Sequence, residues 1–344
     1  MRIGIVNDML LAVEAMRRVL VANGRHQVIW IARDGVEAVR ICGENTPDLV
    51  LMDLIMPQMD GVEATRRIMS QSPCAILVVT ATVDGNVGRV FEALGAGAMD
   101  AVNTPILDGS GGGAGAEALL AKIHNIEVLI RGSAADSLRA SVKPATHRPG
   151  MVAGKLVAIG ASAGGPAAVA DVLKVMPPDF PAAIVVVQHV DDQFAAGLAD
   201  WLGQQTRLPV RLAREGEKPE AGCVLVSGGS YHLSMARGGA LFYTSIPSDT
   251  AYRPSVDVFF RALAERWQGE LVGVLLTGMG KDGAAGLKEL RDAGHHTIAQ
   301  DRESCAVYGM PKAAAGLNAA VEILPLEKVG PALIRRFAAV KGRD

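Results

Sequence analysis

Twice along this chain, short apolar runs alternate with amphipathic stretches, and each run ends in polar residues. In the first half the runs lie near Arg2–Val6, Val28–Ile31, Leu49–Met52, Ile76–Val79 and Ala98–Val102. In the second half they include Leu156–Ile159, Ala182–Val187 and Leu271–Leu276. Apolar runs of this length, spaced by helical patterns, predict buried parallel strands with helices on both faces of the sheet. Each half therefore predicts an open, doubly wound α/β unit. The C-terminal ends of such strands converge on one edge, where ligands bind. The polar residues that follow the runs are the candidates for chemistry.

Ser110-Gly111-Gly112-Gly113-Ala114-Gly115 reads as a low-complexity flexible loop, and Ala116–Ile130 as a helix. The mixed polar segment that follows, with Pro144 and Pro149, reads as a linker. The expected division is 1–131, a linker at 132–151, and 152–344. A length of 344 residues suits two domains. The formal net charge of −2 gives no global attraction to nucleic acid or to acidic membranes. No apolar run approaches the ~18 residues needed to span a bilayer. Met1–Val6 enters a strand pattern directly, without the look of a cleavable signal. Cys42, Cys74, Cys223 and Cys305 are scattered and fit a reduced compartment. These features predict a cytoplasmic protein with no nucleic-acid partner and no direct membrane insertion.

In the first half, Asn7-Asp8, Asp53, Thr80 and Asn103-Thr104-Pro105 follow successive runs. Asp8 and Asp53 together offer hard oxygen ligands to a divalent cation. Asp53 could then attack a phosphoryl group, with Thr80 bonding one of its oxygens. The plainer role for each acid is a helix cap or an exposed turn.

In the second half, Gly160-Ala161-Ser162-Ala163-Gly164-Gly165-Pro166 joins a strand to a helix with Pro166 at its first position. A serine among glycines at such a turn reads as a nucleophile elbow, and the helix N-terminus favours a developing oxyanion. A plain tight turn or a phosphate loop is the duller reading. Gln188-His189 ends the next run, and Thr277-Gly278-Met279-Gly280-Lys281-Asp282 follows another. Ser162, His189 and Asp282 can therefore meet at one sheet edge as nucleophile, base and orienting carboxylate. Their order, Ser–His–Asp, differs from that of α/β-hydrolases. Asp282 could instead cap the helix starting near Gly283, and His189 could be a satisfied buried histidine. The Met279 N–H is positioned to point at an oxyanion. His232 is a reserve base. His295-His296 carries no metal reading, because neighbours on a strand face opposite ways.

The first half resembles the receiver domain of two-component response regulators. The residues that carry this are Val6-Asn7-Asp8, Leu51 to Gly61, Val79-Thr80-Ala81 and Gly97 to Ala101. The resemblance implies a flavodoxin-like doubly wound sheet. It also implies Asp53 as phospho-acceptor, with Mg²⁺ on Asp8, Asp53 and the carbonyl of Ile55. Two departures stand out: Asn7 replaces a usual acid, and Thr104 replaces the usual lysine.

The second half is similar to the catalytic domain of chemotaxis protein-glutamate methylesterases, the CheB family. Six blocks carry this: Ile159–Pro166, Val187–His189, Val226–Leu233, Arg253–Asp257, Leu276–Leu287, and Ala299–Asp301 with Tyr308–Pro311. The resemblance implies hydrolysis of γ-glutamyl methyl esters on chemoreceptor cytoplasmic helices, releasing methanol, with receptor glutamine deamidation in some members. It implies Ser162, His189 and Asp282 as the triad, no cofactor for the esterase, and a receiver that blocks the active edge at rest. A chemotaxis-type histidine kinase is the implied phosphodonor. Ala163 stands where the family often has threonine. The N-terminal run looks like a surface-sensing, Wsp-type subgroup that drives a cyclic-di-GMP synthase. The alternatives are a non-catalytic, phosphorylation-dependent docking protein and a DNA-binding regulator. The second would need a basic recognition helix that the alternating pattern does not offer.

Overall fold

The computed structural model describes residues 1–81, 87–106, 115–132, 154–248, 250 and 252–338. The expected linker falls almost wholly outside them, as does most of the expected loop at Ser110–Gly115.

The first unit runs β1 (Arg2–Val6), α1 (Leu10–Asn23), β2 (Gln27–Ala32), α2 (Gly35–Glu44), β3 (Leu49–Met52), α3 (Gly61–Gln71), β4 (Ala75–Thr80), α4 (Val87–Gly95), β5 (Asp100–Asn103) and α5 (Ala116–Gly132). Its five strands pair in parallel in the order β2-β1-β3-β4-β5. Every residue of β3 and β4 is buried, as continuous apolar runs demand. Asp34 and Asp60 cap α2 and α3, each accepting the N–H three residues on at 2.9 Å. The strand order reverses between β1 and β3, so the segments after those strands flank one crevice.

The second unit begins with β6 (Lys155–Ala161), α6 (Gly165–Lys174), β7 (Ala183–Gln188), α7 (Asp192–Gln205), β8 (Val210–Leu212) and β9 (Val224–Val226). The hairpin β10 (His232–Met235) and β11 (Leu241–Thr244) follows, then α8 (Val256–Arg266) and β12 (Glu270–Leu275). α9 (Ala284–Asp292), β13 (His296–Gln300), α10 (Met310–Gly316), β14 (Glu322–Leu324) and α11 (Leu326–Phe337) complete it. Seven parallel strands pair in the order β14-β13-β12-β6-β7-β9-β8. The strand order reverses between β6 and β12, at the centre of the sheet. The segments after β6, β7 and β12 therefore emerge side by side.

Candidate active site

β6 ends at Ala161, and Ser162 begins the turn into α6. The helix starts at Gly165, one residue before the expected Pro166. Gly164 sits at φ 75°, the left-handed region that lets the turn close so tightly. Ser162 N–H donates to the Thr277 carbonyl at 3.0 Å. Its own carbonyl accepts from Gly165 N–H at 2.8 Å and from Gln188 Nε2 at 2.8 Å. The Thr277 hydroxyl donates to the Ala163 carbonyl at 3.0 Å. The turn is thus held from both neighbouring strands. A Cβ on Gly278 would lie 2.7 Å from the Cβ of Ser162, which brings the Met279 peptide next to the serine.

His189 follows β7, and its N–H donates to the Ala161 carbonyl at 3.0 Å, one residue before Ser162. Its Nε2 lies 2.7 Å from Asp282 Oδ2. A carboxylate there makes Nε2 the donor and leaves Nδ1 as the acceptor. Nδ1 is buried and has no partner. This histidine is not fully satisfied, which argues against the duller reading.

Asp282 does cap a helix, but not the one expected. Gly283 is the N-cap residue of α9 and has no side chain to cap it; the Asp257 carboxylate accepts from Gly286 N–H of that helix at 2.7 Å. Asp282 instead accepts from the first N–H groups of α8, Val256 at 2.6 Å and Asp257 at 3.2 Å. The Ser255 hydroxyl donates to it at 2.8 Å. Burial favours the protonated form, but the His189 hydrogen bond and charge, with Ser255 and Val256, hold the carboxyl below the ordinary carboxylate range. Asp257 lies alongside. Burial and then the Asp282 charge push its carboxyl up to about 6.

His232 is withdrawn as a reserve base. It is fully buried, Nε2 donates to the Pro247 carbonyl at 3.0 Å, and Nδ1 accepts from Ser255 N–H at 3.0 Å. Both nitrogens are used to position the segment that bonds Asp282.

At the other crevice, Asp53 is buried and Asp8 exposed. Asn7 Nδ2 donates to Asp53 Oδ2 at 3.1 Å, and Leu54 N–H donates to Oδ1 at 2.7 Å. Burial pushes the Asp53 carboxyl up to about 6; the Leu54 and Ile55 amides oppose this, and the Asp8 charge adds to it. Thr80 is buried beside them at the end of β4, and its carbonyl accepts from Thr104 N–H at 2.9 Å. Ile55 is exposed on the loop after Asp53.

The CheB methylesterase family profile matches residues 157–333, and the response regulator receiver domain profile matches residues 3–109. A protein of Pseudomonas aeruginosa named protein-glutamate methylesterase/protein-glutamine glutaminase 3 is 57% identical, covering 98% of this chain and 100% of its own. A like-named protein of Pseudomonas fluorescens is 58% identical over 98% of this chain and 99% of its own. The chain belongs to the CheB methylesterase family. The crystal structure of the Thermotoga maritima CheB methylesterase catalytic domain aligns with TM-score 0.52 and 37% identity, over 54% of this chain and all of that one.

In this CheB-family chain the receiver lies directly against the Ser162 turn. Gly164 N–H donates to the Leu94 carbonyl of α4 at 3.0 Å. A Cβ on Gly95 would meet the Cβ of Ala167 at 2.6 Å. Phe91 of α4 packs on Trp201 of α7, with ring centroids 5.9 Å apart. Lys122 of α5 pairs with Asp100 at 2.7 Å and, across the boundary, with Asp191 at 3.0 Å.

One member of the site escaped the sequence reading. Tyr252 stacks on His189, centroids 4.1 Å apart and planes within 10°. Its hydroxyl is buried without a partner. It stands next to the Arg253–Asp257 motif, but nothing in that motif announces a ring on the histidine.

Proposed function

We propose that this chain hydrolyses γ-glutamyl methyl esters on the cytoplasmic helices of methyl-accepting chemoreceptors, under control of phosphorylation at Asp53. One observation carries the chemistry: His189 is bound to Asp282 through Nε2, while Nδ1 remains buried and unpartnered at the strand end beside Ser162. Ser162 Oγ attacks the ester carbonyl, and its proton passes to Nδ1. Asp282 holds the ring in the Nε2–H tautomer and stabilises the imidazolium. The N–H groups of Ala163 and Met279 take the oxyanion. Methanol leaves with the proton from Nδ1, and water, activated by the same nitrogen, frees the glutamate. The same steps on a glutamine side chain would release ammonia, in keeping with the glutaminase in the relatives' names.

The receiver supplies the control. Asp8, Asp53 and the Ile55 carbonyl are an all-oxygen set, and burial, with the Asp8 charge adding to it, leaves the Asp53 carboxylate undercompensated, so the residues fit Mg²⁺. When bound, Mg²⁺ offsets the negative charge between carboxylate and phosphoryl group. Phosphate from a chemotaxis-type histidine kinase on Asp53 then favours an arrangement in which α4 has left the Ser162 turn. Receptor helices gain access only in that arrangement.

The test is methanol release from methylated receptor, with and without a small phosphodonor. Wild type is expected to accelerate with the donor, and Asp53→Ala to ignore it. Ser162→Ala is expected to lose about 10⁴–10⁶ in rate with its fold intact. Wild-type turnover in Ser162→Ala would remove this serine from the mechanism. Equal binding of receptor with no methanol from wild type would favour the docking reading.

A further inference from the structure

The receiver holds a thiol pair that neither site uses. Cys42 lies in the last turn of α2, and Cys74 stands directly before β4. Their sulfurs are 3.8 Å apart, and both are free thiols. Cys42 is buried and Cys74 half-buried. They are 32 residues apart in sequence, so the fold alone brings them together. The other cysteines, Cys223 and Cys305, lie in the other unit.

The contact changes the chemistry of the pair. Donation from the Cys74 thiol lowers Cys42 to about 7, and that same bond, with burial, pushes Cys74 up. The pair therefore releases one proton readily and holds the second tightly. Burial raises Cys223, and burial followed by the Asp301 charge pushes Cys305 up to about 12. Neither has a partner thiol to offset this.

We propose that Cys42 and Cys74 form a redox-active dithiol that a hydroperoxide closes into a disulfide joining α2 to the start of β4. This goes beyond the esterase reading and does not depend on it. Cys42 carries the thiolate, the nucleophilic form. Its sulfur attacks one peroxide oxygen. The S–O bond forms, the O–O bond breaks, and hydroxide leaves, giving a sulfenic acid on Cys42. The Cys74 sulfur then attacks the Cys42 sulfur, the S–O bond breaks, and the departing hydroxyl takes the Cys74 proton as water. The two sulfurs together lose two electrons, which reduce the peroxide. Cytoplasmic disulfides of this type are characteristically transient and redox-sensing.

The experiment exposes reduced full-length protein to a small molar excess of hydrogen peroxide. Remaining thiols are alkylated under denaturing conditions, and the peptides are mapped by mass spectrometry. The expected result is loss of two of the four thiols, a peptide crosslinked through Cys42 and Cys74, and recovery of both thiols with dithiothreitol. In Cys74→Ser, Cys42 is expected to stop at a sulfenic acid that dimedone traps. In Cys42→Ser, Cys74 is expected to stay alkylatable. The proposal is overturned if Cys42 and Cys74 are both alkylated while Cys305 has been oxidised. It is equally overturned if the crosslink joins only separate chains.

Discussion

The backbone N–H of Gly164 donates to the carbonyl of Leu94 at 3.0 Å, so the receiver bonds directly to the turn that presents Ser162. A switch that needs the two units to part must break this bond along with the Phe91–Trp201 contact and the Lys122–Asp191 ion pair. Only a difference in stability between closed and open arrangements shifts that equilibrium.

Asp191→Asn tests the closed arrangement from the esterase side, leaving Lys122 its bond to Asp100. The Asp191 side chain is 40% exposed while the Lys122 side chain is largely buried, which places the pair near the upper end of the surface range, about 1 kcal/mol. Methanol release by the unphosphorylated chain is expected to rise about 2–5-fold, with the phosphorylated rate unchanged. An unchanged resting rate would mean that the pair does not hold the units together.

Asp282→Asn is expected to lower turnover by about 10⁴-fold, because the amide no longer enforces the Nε2–H tautomer or stabilises the imidazolium. Asp282→Ala goes further. It strands the N–H groups of Val256 and Asp257 and the Ser255 hydroxyl, so thermal stability is expected to fall as well. Full turnover in Asp282→Asn, followed by methanol release, would leave Asp282 as a cap of α8 and nothing more.

Tyr252, stacked on His189, holds that ring in one plane. Tyr252→Phe retains the stack and removes a hydroxyl that has no partner, so its kinetics are expected to match wild type. Tyr252→Ala frees the ring, and kcat is expected to fall about 10–100-fold with little change in KM. Equal kcat in the two variants would refute the positioning role.

Asp53 gives a pH signature. Its folded carboxyl is raised from the ordinary value to about 6, so the folded state holds its proton where the unfolded state does not. The stability this contributes is complete below about pH 4 and is lost as pH rises through about 6. In Mg²⁺-free buffer, Asp53→Asn is expected to exceed wild type by about 1–2 kcal/mol at pH 7 and to lose the advantage at pH 4, read by denaturant melts. A gap independent of pH would assign the effect to packing.

In the proposed switch, Thr104 offers the phosphoryl group on Asp53 a neutral hydroxyl where a receiver ordinarily supplies a lysine. Thr104→Lys adds a charge-assisted bond to the phosphorylated state alone, and the ratio of phosphorylated to resting activity is expected to increase. A constant ratio, with Asp53→Ala unresponsive to the phosphodonor, would show that coupling bypasses this position.

The apolar runs reported their own burial. β3 falls at Leu49–Met52 as read, because a strand buried on both faces must be apolar throughout, and β1 falls at Arg2–Val6, apolar after its exposed Arg2. The short edge strand β8 has three half-buried residues, and the hairpin β10–β11 lies off both main sheets, so neither carries that signal. His189 and Asp282 were legible as polar residues after central strands. Tyr252 was not, since a stack onto a histidine 63 positions earlier depends on how a loop folds back.

The sequence by itself determined two parallel α/β units and the residues delivered to each sheet edge, because strand burial and glycine-rich turns are written in local composition. It determined the family through six ordered blocks. Only the tertiary structure decided which helix Asp282 caps, which nitrogen of His189 stays unpartnered, and that His232 spends both nitrogens on the backbone. Only it set α4 against the Ser162 turn and brought Cys42 to Cys74. These are contacts between segments distant in the chain, and their free energy comes from packing that no local pattern encodes.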